Sequence, residues 1–435
     1  MAGVRRWWGA NVGGLPRTFW FLWTSTLVNR IGGFIVIYLA VYLVAVRDFS
    51  PTYAGLVVGL YGGGAALGVL VGGVLADRWG RKPTLVAANL SAAGAAVALG
   101  FVSSPLAIAL LTGLLGALTQ ASRPAGAAMM ADVVPNADRL RAFSLTYWAI
   151  NLGFAGSALL AGVLIGLDYR LLFFLDAATT VLAALVVLGV PDTRPAPATA
   201  AVSPAAVSPA PAARQGGLID VLRDRVFLGL VAGTLFTWMI VETVSMLPIA
   251  MRADDLSASA YGRVIAVNGI LIVLGQLFIP RLLGDRDRSR TLAVAAVIIG
   301  SGFGLVALAD SLWMYALTVA VWTIGEMVMS PSISSLTADL APASMRGRYQ
   351  GVHSFGYSIA TFAAPVIAGV TLQYAGPAVL WIGCFVLGLL VAGWQYAAGP
   401  ARERRIAALR AAESQPPGAA LDATATVPAP APAAA

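Results

Sequence analysis

Twelve long apolar stretches dominate this chain of 435 residues and limit what it can fold into. The apolar core of a lipid bilayer takes about 20 residues of helix for each crossing. Each stretch approaches that length, and proline, glycine or charged residues separate it from the next. The sequence therefore predicts an all-α membrane protein with twelve transmembrane helices, called spans 1 to 12 below, at residues 17–46, 51–76, 84–102, 105–131, 140–167, 170–190, 226–251, 259–283, 291–309, 312–338, 347–374 and 376–398.

The composition excludes most soluble folds and several kinds of chemistry. Hydrophobic residues make up 59% of the chain and charged residues only 11%, whereas a soluble protein has about 25% charged residues. The first stretch, which follows Arg5 and Arg6, is too long for the core of a secretory signal. One cysteine, Cys384, and one histidine, His353, give no reason to expect an intramolecular disulfide, a metal site or a cofactor.

The basic residues lie mainly on one side of the predicted membrane. If both termini are cytoplasmic, 22 of the 28 Lys and Arg residues fall in cytoplasmic segments. The rest lie in outer loops or inside spans: Arg47, Arg170, Arg252, Arg263, Arg30 and Arg123. Such a bias is what the positive-inside rule requires. The net charge of +8 is therefore attributed to topology in the cell membrane and not to nucleic-acid binding.

The sequence divides into two related halves. Ala131-Asp132-Val133-Val134-Pro135 recurs as Ala338-Asp339-Leu340-Ala341-Pro342, a shift of 207 residues, and Pro124 meets Pro331 at the same shift. Two pseudo-symmetric six-helix halves are therefore expected at 17–190 and 226–398. Three further segments are expected in the cytoplasm, two of them rich in Pro and Ala: an N-terminus at 1–16, a flexible linker at 191–225 and a disordered tail at 399–435.

A motif rich in glycine and arginine follows span 2. It reads Gly73-Val74-Leu75-Ala76-Asp77-Arg78-Trp79-Gly80-Arg81-Lys82. Its glycines allow a close helix approach and a tight turn, and Asp77 is placed to meet the positive end of a neighbouring helix. The motif resembles the signature of the major facilitator superfamily, both in residue types and in its position after span 2. The resemblance covers the whole membrane part of the chain and implies the superfamily fold.

That resemblance also implies a conformational latch made by Gly73, Asp77, Arg78, Gly80, Arg81 and Asp132. Asp77 would face the start of span 11 near Met345, and Arg81 would pair with Asp132. Such contacts close the cytoplasmic side while the outer side is open. The related segment of the second half is degenerate and is expected to latch weakly or not at all: Leu282-Leu283-Gly284-Asp285-Arg286-Asp287-Arg288.

Two further segments, 145–152 and 325–332, are similar to proton-coupled multidrug antiporters of the LmrP and MdtH kind. The sequence departs from their pattern at two places. Thr146 stands where the LmrP-like pattern has an acidic residue, and Gly156-Ser157 stands where the antiporter pattern of span 5 has Gly-Pro. One proposed proton site of those relatives is therefore missing here.

Few ionisable residues lie inside the spans, where each costs roughly 2.5–3.5 kcal/mol and usually faces a cavity or a partner. Glu326 lies in the middle of span 10 on one face with Ser330, and Glu242 lies in span 7 four residues after Trp238. We predict that Glu326 binds a proton, a cationic substrate, or each in turn. The alternative for Glu326 is a hydrogen bond to a neighbouring helix, and the alternative for Glu242 is a hydrated position near the outer mouth.

The basic candidate inside a span is Arg30, beside Asn29 in span 1. It either forms a structural ion pair with a carboxylate or binds an anionic group of the substrate. Asp176 in span 6 is interpreted as structural. His353 is interpreted as a packing residue with its hydrogen bonds satisfied, and the alternative is a role in a proton relay. The resemblance implies a central cavity between spans 1, 2, 4, 5, 7, 8, 10 and 11, with these predicted lining residues: Tyr38, Tyr61, Tyr147, Asn151, Trp238, Ser330, His353 and Tyr357.

Together these features predict a secondary active transporter that exports lipophilic, antibiotic-like small molecules in exchange for protons. Its expected partners are the lipid bilayer, the small-molecule substrate and protons, and it is expected to act as a monomer without nucleic acid. A carrier for a defined metabolite, such as a sugar, a peptide or a siderophore, is the alternative. An intramembrane transferase is disfavoured because Asp254-Asp255 is the only adjacent acidic pair and no second acidic cluster accompanies it.

Overall fold

The computed structural model describes residues 13–135, 138–191, 218–276, 278–279, 282, 284, 286–342 and 345–414. Within them, twelve helical segments are long and apolar enough to cross a membrane, which confirms the predicted fold class. Most of their ends lie within a few residues of the predicted ones. The segments are Arg17–Ala45, Pro51–Trp79, Arg81–Phe101, Pro105–Val133, Arg141–Ile165, Arg170–Leu188, Arg225–Ala253, Ala258–Gly275, Arg288–Leu308, Leu312–Leu340, Arg346–Tyr374 and Pro377–Ala397.

Within the described residues, spans 1, 7 and 9 each contain a break or a turn of 3₁₀ helix. Span 1 consists of the helices Arg17–Ile31 and Phe34–Ala45, separated at Gly32 and Gly33. At Gly32 a side chain would overlap the hydroxyl of Thr179, so glycine is required for this approach to span 6. Spans 7 and 9 each contain one turn of 3₁₀ helix, Thr243–Met246 and Leu305–Leu308.

Span 8 does not continue as one unbroken helix to its predicted end. The prediction placed it at residue 283, whereas the helix Ala258–Gly275 ends eight residues earlier. The apolar character of the sequence continues past Gly275, which is why composition alone overestimates the helix.

Small residues hold each half together. Side chains added at Gly64, Gly68 or Gly72 of span 2 would overlap backbone carbonyls of span 4. In the second half, Gly300 of span 9 and Gly388 of span 12 approach each other in the same way. Lipid supplies no hydrophobic force between helices, so close backbone packing of this kind stabilises the bundle.

Two seams join the halves on the side opposite the chain termini, here called the far side. Span 2 meets span 11 where Gly55 faces Gly369, and span 8 meets span 5 where Gly262 faces Gly162. Gly262 lies 207 residues after Gly55, and Gly369 lies 207 residues after Gly162. Equivalent positions of the internal repeat therefore form both seams. Added side chains at Gly55 or Gly262 would overlap a carbonyl oxygen of the other half. The far side is therefore closed.

The side that carries the termini, here called the terminal side, is open between spans 2 and 11. Side chains added at Gly73, Gly347 or Gly351 would meet nothing within 4 Å. These three glycines lie in the parts of spans 2 and 11 nearest the terminal side. The opposite ends of the same two helices are packed together. The two halves thus enclose a space that opens toward the terminal side.

The predicted domain boundaries need one correction at the end of the chain. The segment from residue 399, predicted to be disordered, begins with the helix Gly399–Ser414, and the predicted linker contains the short helix Leu218–Arg223. Residues 1–12, 192–217 and 415–435 lie outside the described part of the chain. The helix Gly399–Ser414, here called the terminal helix, is ordered because its side chains bind the second half.

Arg402 anchors the terminal helix and is only 1% exposed. It donates to Gln395 Oε1 at 2.6 Å and to Ser289 Oγ at 3.2 Å. Burial lowers the pKa of Arg402 to about 10, while nearby Asp287 partly offsets this effect. Arg405 forms an ion pair with Asp224 at the start of span 7, 3.4 Å apart.

We expect Arg402→Ala to destabilise the second half of the protein. Each hydrogen bond to a charged group contributes roughly 1.5–3 kcal/mol, so the free energy of unfolding should fall by about 3 kcal/mol. Thermal unfolding in detergent, followed by tryptophan fluorescence, measures the change. Arg404→Ala is the matched control because Arg404 is exposed on the same helix. Equal melting temperatures for both variants would contradict the anchoring role.

Candidate binding site between the two halves

Glu326 lies on span 10, half-buried, and accepts a hydrogen bond from span 8. Asn268 Nδ2 donates to Glu326 Oε2 at 3.0 Å and also lies 3.0 Å from Thr323 Oγ1. Among the described residues no Lys or Arg forms an ion pair with Glu326. Sequence reasoning missed Asn268, although an isolated amide in an apolar span is a usable signal.

Glu242 lies at the end of the helix Arg225–Glu242 in span 7. It accepts a hydrogen bond from Tyr357 Oη of span 11 at 3.1 Å. The ring of Tyr357 packs edge-on against Trp238, with centroids 4.9 Å apart. Glu242 and Glu326 are close enough to interact electrostatically. The structure therefore brings the two predicted acids together, each bonded to a neutral donor.

Residues of the first half face these acids. Tyr147 of span 5 lies within electrostatic range of Glu326 and is 42% exposed. Asn151, one turn later, donates to the carbonyl oxygen of Tyr147 at 2.9 Å. Because spans 5 and 10 belong to different halves, the acids lie at the interface and not inside one half.

Arg30 and Arg123 lie on the first-half side of this interface. Arg30 is in the last turn of the helix Arg17–Ile31, within electrostatic range of Arg123, Tyr61 and Tyr357. Among the described residues neither arginine forms an ion pair. The structural ion pair considered for Arg30 is therefore absent from this conformation.

Asn29 and Asp176 belong to the break in span 1. Asn29 Nδ2 donates to Thr180 Oγ1 of span 6 at 3.3 Å. Asp176 accepts a hydrogen bond from the backbone N–H of Ile35 at 3.2 Å, at the start of the second helix of span 1. A carboxylate there satisfies N–H groups that the helix leaves unpaired. Asp176 thus has the structural position expected of it, and Asn29 faces span 6.

Three predicted lining residues need separate comment. Tyr38 is fully buried, packs against Tyr261 and donates to the carbonyl oxygen of Ala158 at 3.2 Å. It therefore seals the far side and does not line the open space. His353 Nε2 is buried without a hydrogen-bond partner among the described residues, so the prediction of a satisfied packing histidine is wrong. Ser330 is half-buried on span 10.

The predicted latch is present only in part. Arg81 forms an ion pair with Asp132 and donates to the carbonyl oxygen of Ala128 at 3.1 Å. Gly80 has a φ of 100°, which explains the glycine in this turn. Asp77 and Arg78 are exposed, and the start of span 11 lies apart from Gly73. The contact expected between Asp77 and the start of span 11 therefore stays a prediction.

The second half keeps more of the latch than its sequence suggested. Arg288 pairs with Asp339, 207 residues after Arg81 and Asp132. The expectation of a weak or missing latch is therefore wrong for this ion pair. At the other position, Gly284 stands where Asp77 stands in the first half, so the acidic residue of the motif is missing there.

The same shift relates the centre of the two halves. Tyr61 and Thr119 of the first half occupy the positions equivalent to Asn268 and Glu326 of the second, which are joined by a hydrogen bond. A neutral pair in the first half thus corresponds to a pair with one carboxylate in the second. Within the described residues, no three His, Cys, Asp or Glu side chains are grouped as a metal site.

A family profile described as the Major Facilitator Superfamily matches residues 22–365 and 243–427. A Na(+), Li(+), K(+)/H(+) antiporter of Planococcus maritimus is 25% identical over 82% of this chain and 91% of the relative. The multidrug resistance protein MdtH of Aeromonas salmonicida is 27% identical over 85% of this chain and 91% of the relative.

Solved structures share the architecture at lower identity. A variant of the nucleoside transporter NupG superposes with a TM-score of 0.74 at 15% identity, covering 89% of this chain and all of that one. The peptide transporter POT in complex with sulfate gives a TM-score of 0.68 at 18% identity, with 89% and 96% covered. These likenesses show the fold alone.

Proposed function

The chain belongs to the Major Facilitator Superfamily, and from this premise we propose that it exports small organic molecules across the cell membrane in exchange for protons. The observation that carries the proposal is the pair Glu242 and Glu326. Both acids lie at the interface of the halves, interact with each other and are bonded only to neutral donors among the described residues. Ionisable groups at such depth mark ion or substrate pathways.

The proposed cycle uses the two seams of the fold. In the present conformation the far side is closed by Gly55 with Gly369 and by Gly262 with Tyr38, and a solute enters from the terminal side. We place the terminal side in the cytoplasm because it carries most of the basic residues. Binding of a cationic group at the acids displaces a proton, and the halves then rock to expose the site outside, where a proton rebinds.

The relatives support this direction of transport. MdtH of Aeromonas salmonicida, which matches most of this chain, is a multidrug resistance protein by name. The ring of Trp238 beside Tyr357 provides an aromatic wall next to Glu242, which suits an aromatic or lipophilic cation. A cleft with both aromatic faces and carboxylates binds such molecules without requiring one fixed shape.

A second candidate is exchange of alkali cations for protons. The relative from Planococcus maritimus is named as such an antiporter, and paired carboxylates with hydroxyl and amide oxygens nearby are chemically suited to Na⁺. Among the described residues, the partners of the two acids are the Asn268 N–H and the Tyr357 O–H, which donate hydrogen bonds and do not offer the further oxygens that would complete the coordination of a cation. Export of organic molecules is therefore the leading proposal.

Growth inhibition and efflux in a sensitive host test the proposal. Cells that express the protein should survive more of several lipophilic antibiotics and extrude ethidium, and a protonophore should abolish extrusion. NaCl and LiCl tolerance, together with uptake of sugars and peptides, are measured in parallel. Salt tolerance or metabolite uptake without any drug extrusion would replace the proposal with the corresponding carrier.

A further inference from the structure

The cations opposite the acids have no role in the proposed cycle. Arg30 of span 1 and Arg123 of span 4 are close enough to repel each other. Within the described residues neither one has an ion-pair partner or a hydrogen-bond acceptor. Two unpaired charges inside the membrane part are costly, and such residues mark functional positions by default.

The fold stabilises the charge of Arg30 without a carboxylate. Arg30 lies in the last turn of the helix Arg17–Ile31, where the helix dipole presents its negative end at the break before Phe34. Gly153 of span 5 clamps its stem, since an added Cβ there would lie 2.5 Å from the Cβ of Arg30. The backbone and Cβ of Arg30 are thus packed against span 5, and no described residue accepts a hydrogen bond from its guanidinium.

Tyrosines connect the cations to the acids. Tyr61 lies within electrostatic range of both Arg30 and Arg123. Tyr357, from the second half, lies within range of Arg123 and Glu326 and donates its hydroxyl to Glu242. The positive wall of the first half and the negative wall of the second half are therefore neighbours across one shared interface.

We propose that Arg30 and Arg123 form an anion subsite and that the protein prefers zwitterionic substrates. A carboxylate, sulfonate or phosphate group binds between the two guanidinium groups, whose planar forks suit such oxygens. The cationic group of the same molecule binds at Glu242 and Glu326. This inference rests on the proposed function and names its substrate class. A molecule bound in this way contacts both halves, so its binding is linked to their relative movement.

Three probes with the same fluorophore and linker and differently charged end groups test the inference. Each is a dansylamide with a propyl linker that ends in a trimethylammonium group, a sulfonate group or a dimethyl(sulfopropyl)ammonium group. Binding to the purified full-length protein in nanodiscs is measured by dansyl fluorescence. Wild-type protein should bind the zwitterionic probe more tightly than the cationic probe.

Arg30→Gln and Arg123→Gln should each weaken binding of the zwitterionic and anionic probes by about tenfold or more, the loss expected for a charge-assisted hydrogen bond. Binding of the cationic probe should not weaken, and it also reports whether the variant is folded. Arg30→Lys should retain part of the anion affinity because it keeps the charge. Arg404→Gln, an exposed arginine on the terminal helix, should change nothing.

Unchanged affinity for the zwitterionic and anionic probes in both glutamine variants would overturn the inference, and so would failure of the wild-type protein to bind either probe. If Arg30→Gln binds no probe at all, the affinities of Arg30→Lys and Arg123→Gln for the zwitterionic and anionic probes decide whether the inference is correct. Proton-driven ethidium export without this charge discrimination means that only the anion subsite is wrong. Discrimination without any proton-driven transport means that the proposed function fails while the subsite stands.

Discussion

Replacing Glu326 by glutamine will abolish accumulation of ethidium against its gradient by the protein in liposomes. At one proton exchanged per molecule, a pH gradient of one unit is worth about 1.4 kcal/mol, which supports a concentration ratio of about tenfold. Glutamine keeps the size of Glu326 and can still bond to Asn268, but it cannot release a proton. The accumulation ratio should therefore fall from about ten to about one. Acid-loaded proteoliposomes with fluorescent ethidium measure it.

Glu403→Gln is the matched control for this prediction. Glu403 is exposed on the terminal helix, so the same chemical change there should leave accumulation intact. Glu326→Asp, which keeps an acid but shortens it, should retain part of the coupling. Full accumulation by the Glu326→Gln variant would show that this carboxyl group does not carry the proton.

Gly55→Ala should hold the far side open and slow transport strongly. The added methyl group would overlap the carbonyl oxygen of Pro365 and press on Gly369, both in span 11. Overpacking typically costs about 1–3 kcal/mol, which shifts a two-state equilibrium by roughly 5- to 150-fold. The variant should therefore spend more time in the conformation closed on the terminal side.

Spin labels at Leu106→Cys and Trp313→Cys report this shift as a longer distance across the far side. Both residues are exposed at the far ends of spans 4 and 10, and the buried native cysteine is removed by Cys384→Ser. Gly383→Ala is the control, because a side chain there meets nothing within 4 Å. A wild-type distance distribution together with wild-type transport in the Gly55→Ala variant would contradict the role of the seam.

The twelve-helix fold could be predicted from the sequence because each span has its own recognisable pattern of residues. Apolar length, flanking prolines such as Pro51 and Pro105, and the arginine bias are local properties that lipid imposes on every crossing. The same locality explains the errors. Span 8 keeps its apolar character past Gly275, and the terminal helix gains its order from the buried contacts of Arg402 with Gln395, which are tertiary.

The sequence was sufficient to identify the ionisable residues of the candidate site, but not the residues that each of them contacts. Glu242, Glu326 and Arg30 stand out in apolar spans, so their importance follows from the cost of burial. Which residue faces which depends on helix rotation within each half and on how the two halves meet. Asn268 as the donor to Glu326, and the lack of a carboxylate beside Arg30, became evident only in the folded molecule.

Simultaneous recording of ethidium and proton movement in liposomes that contain only the purified protein tests the central claim most directly. With ethidium loaded inside at equal pH on both sides, its exit through the wild-type protein should drive protons inward, and the lumen should acidify. Glu326→Gln should show no such acidification. Ethidium exit through the wild-type protein at a constant lumenal pH would contradict an exchange of protons for substrate.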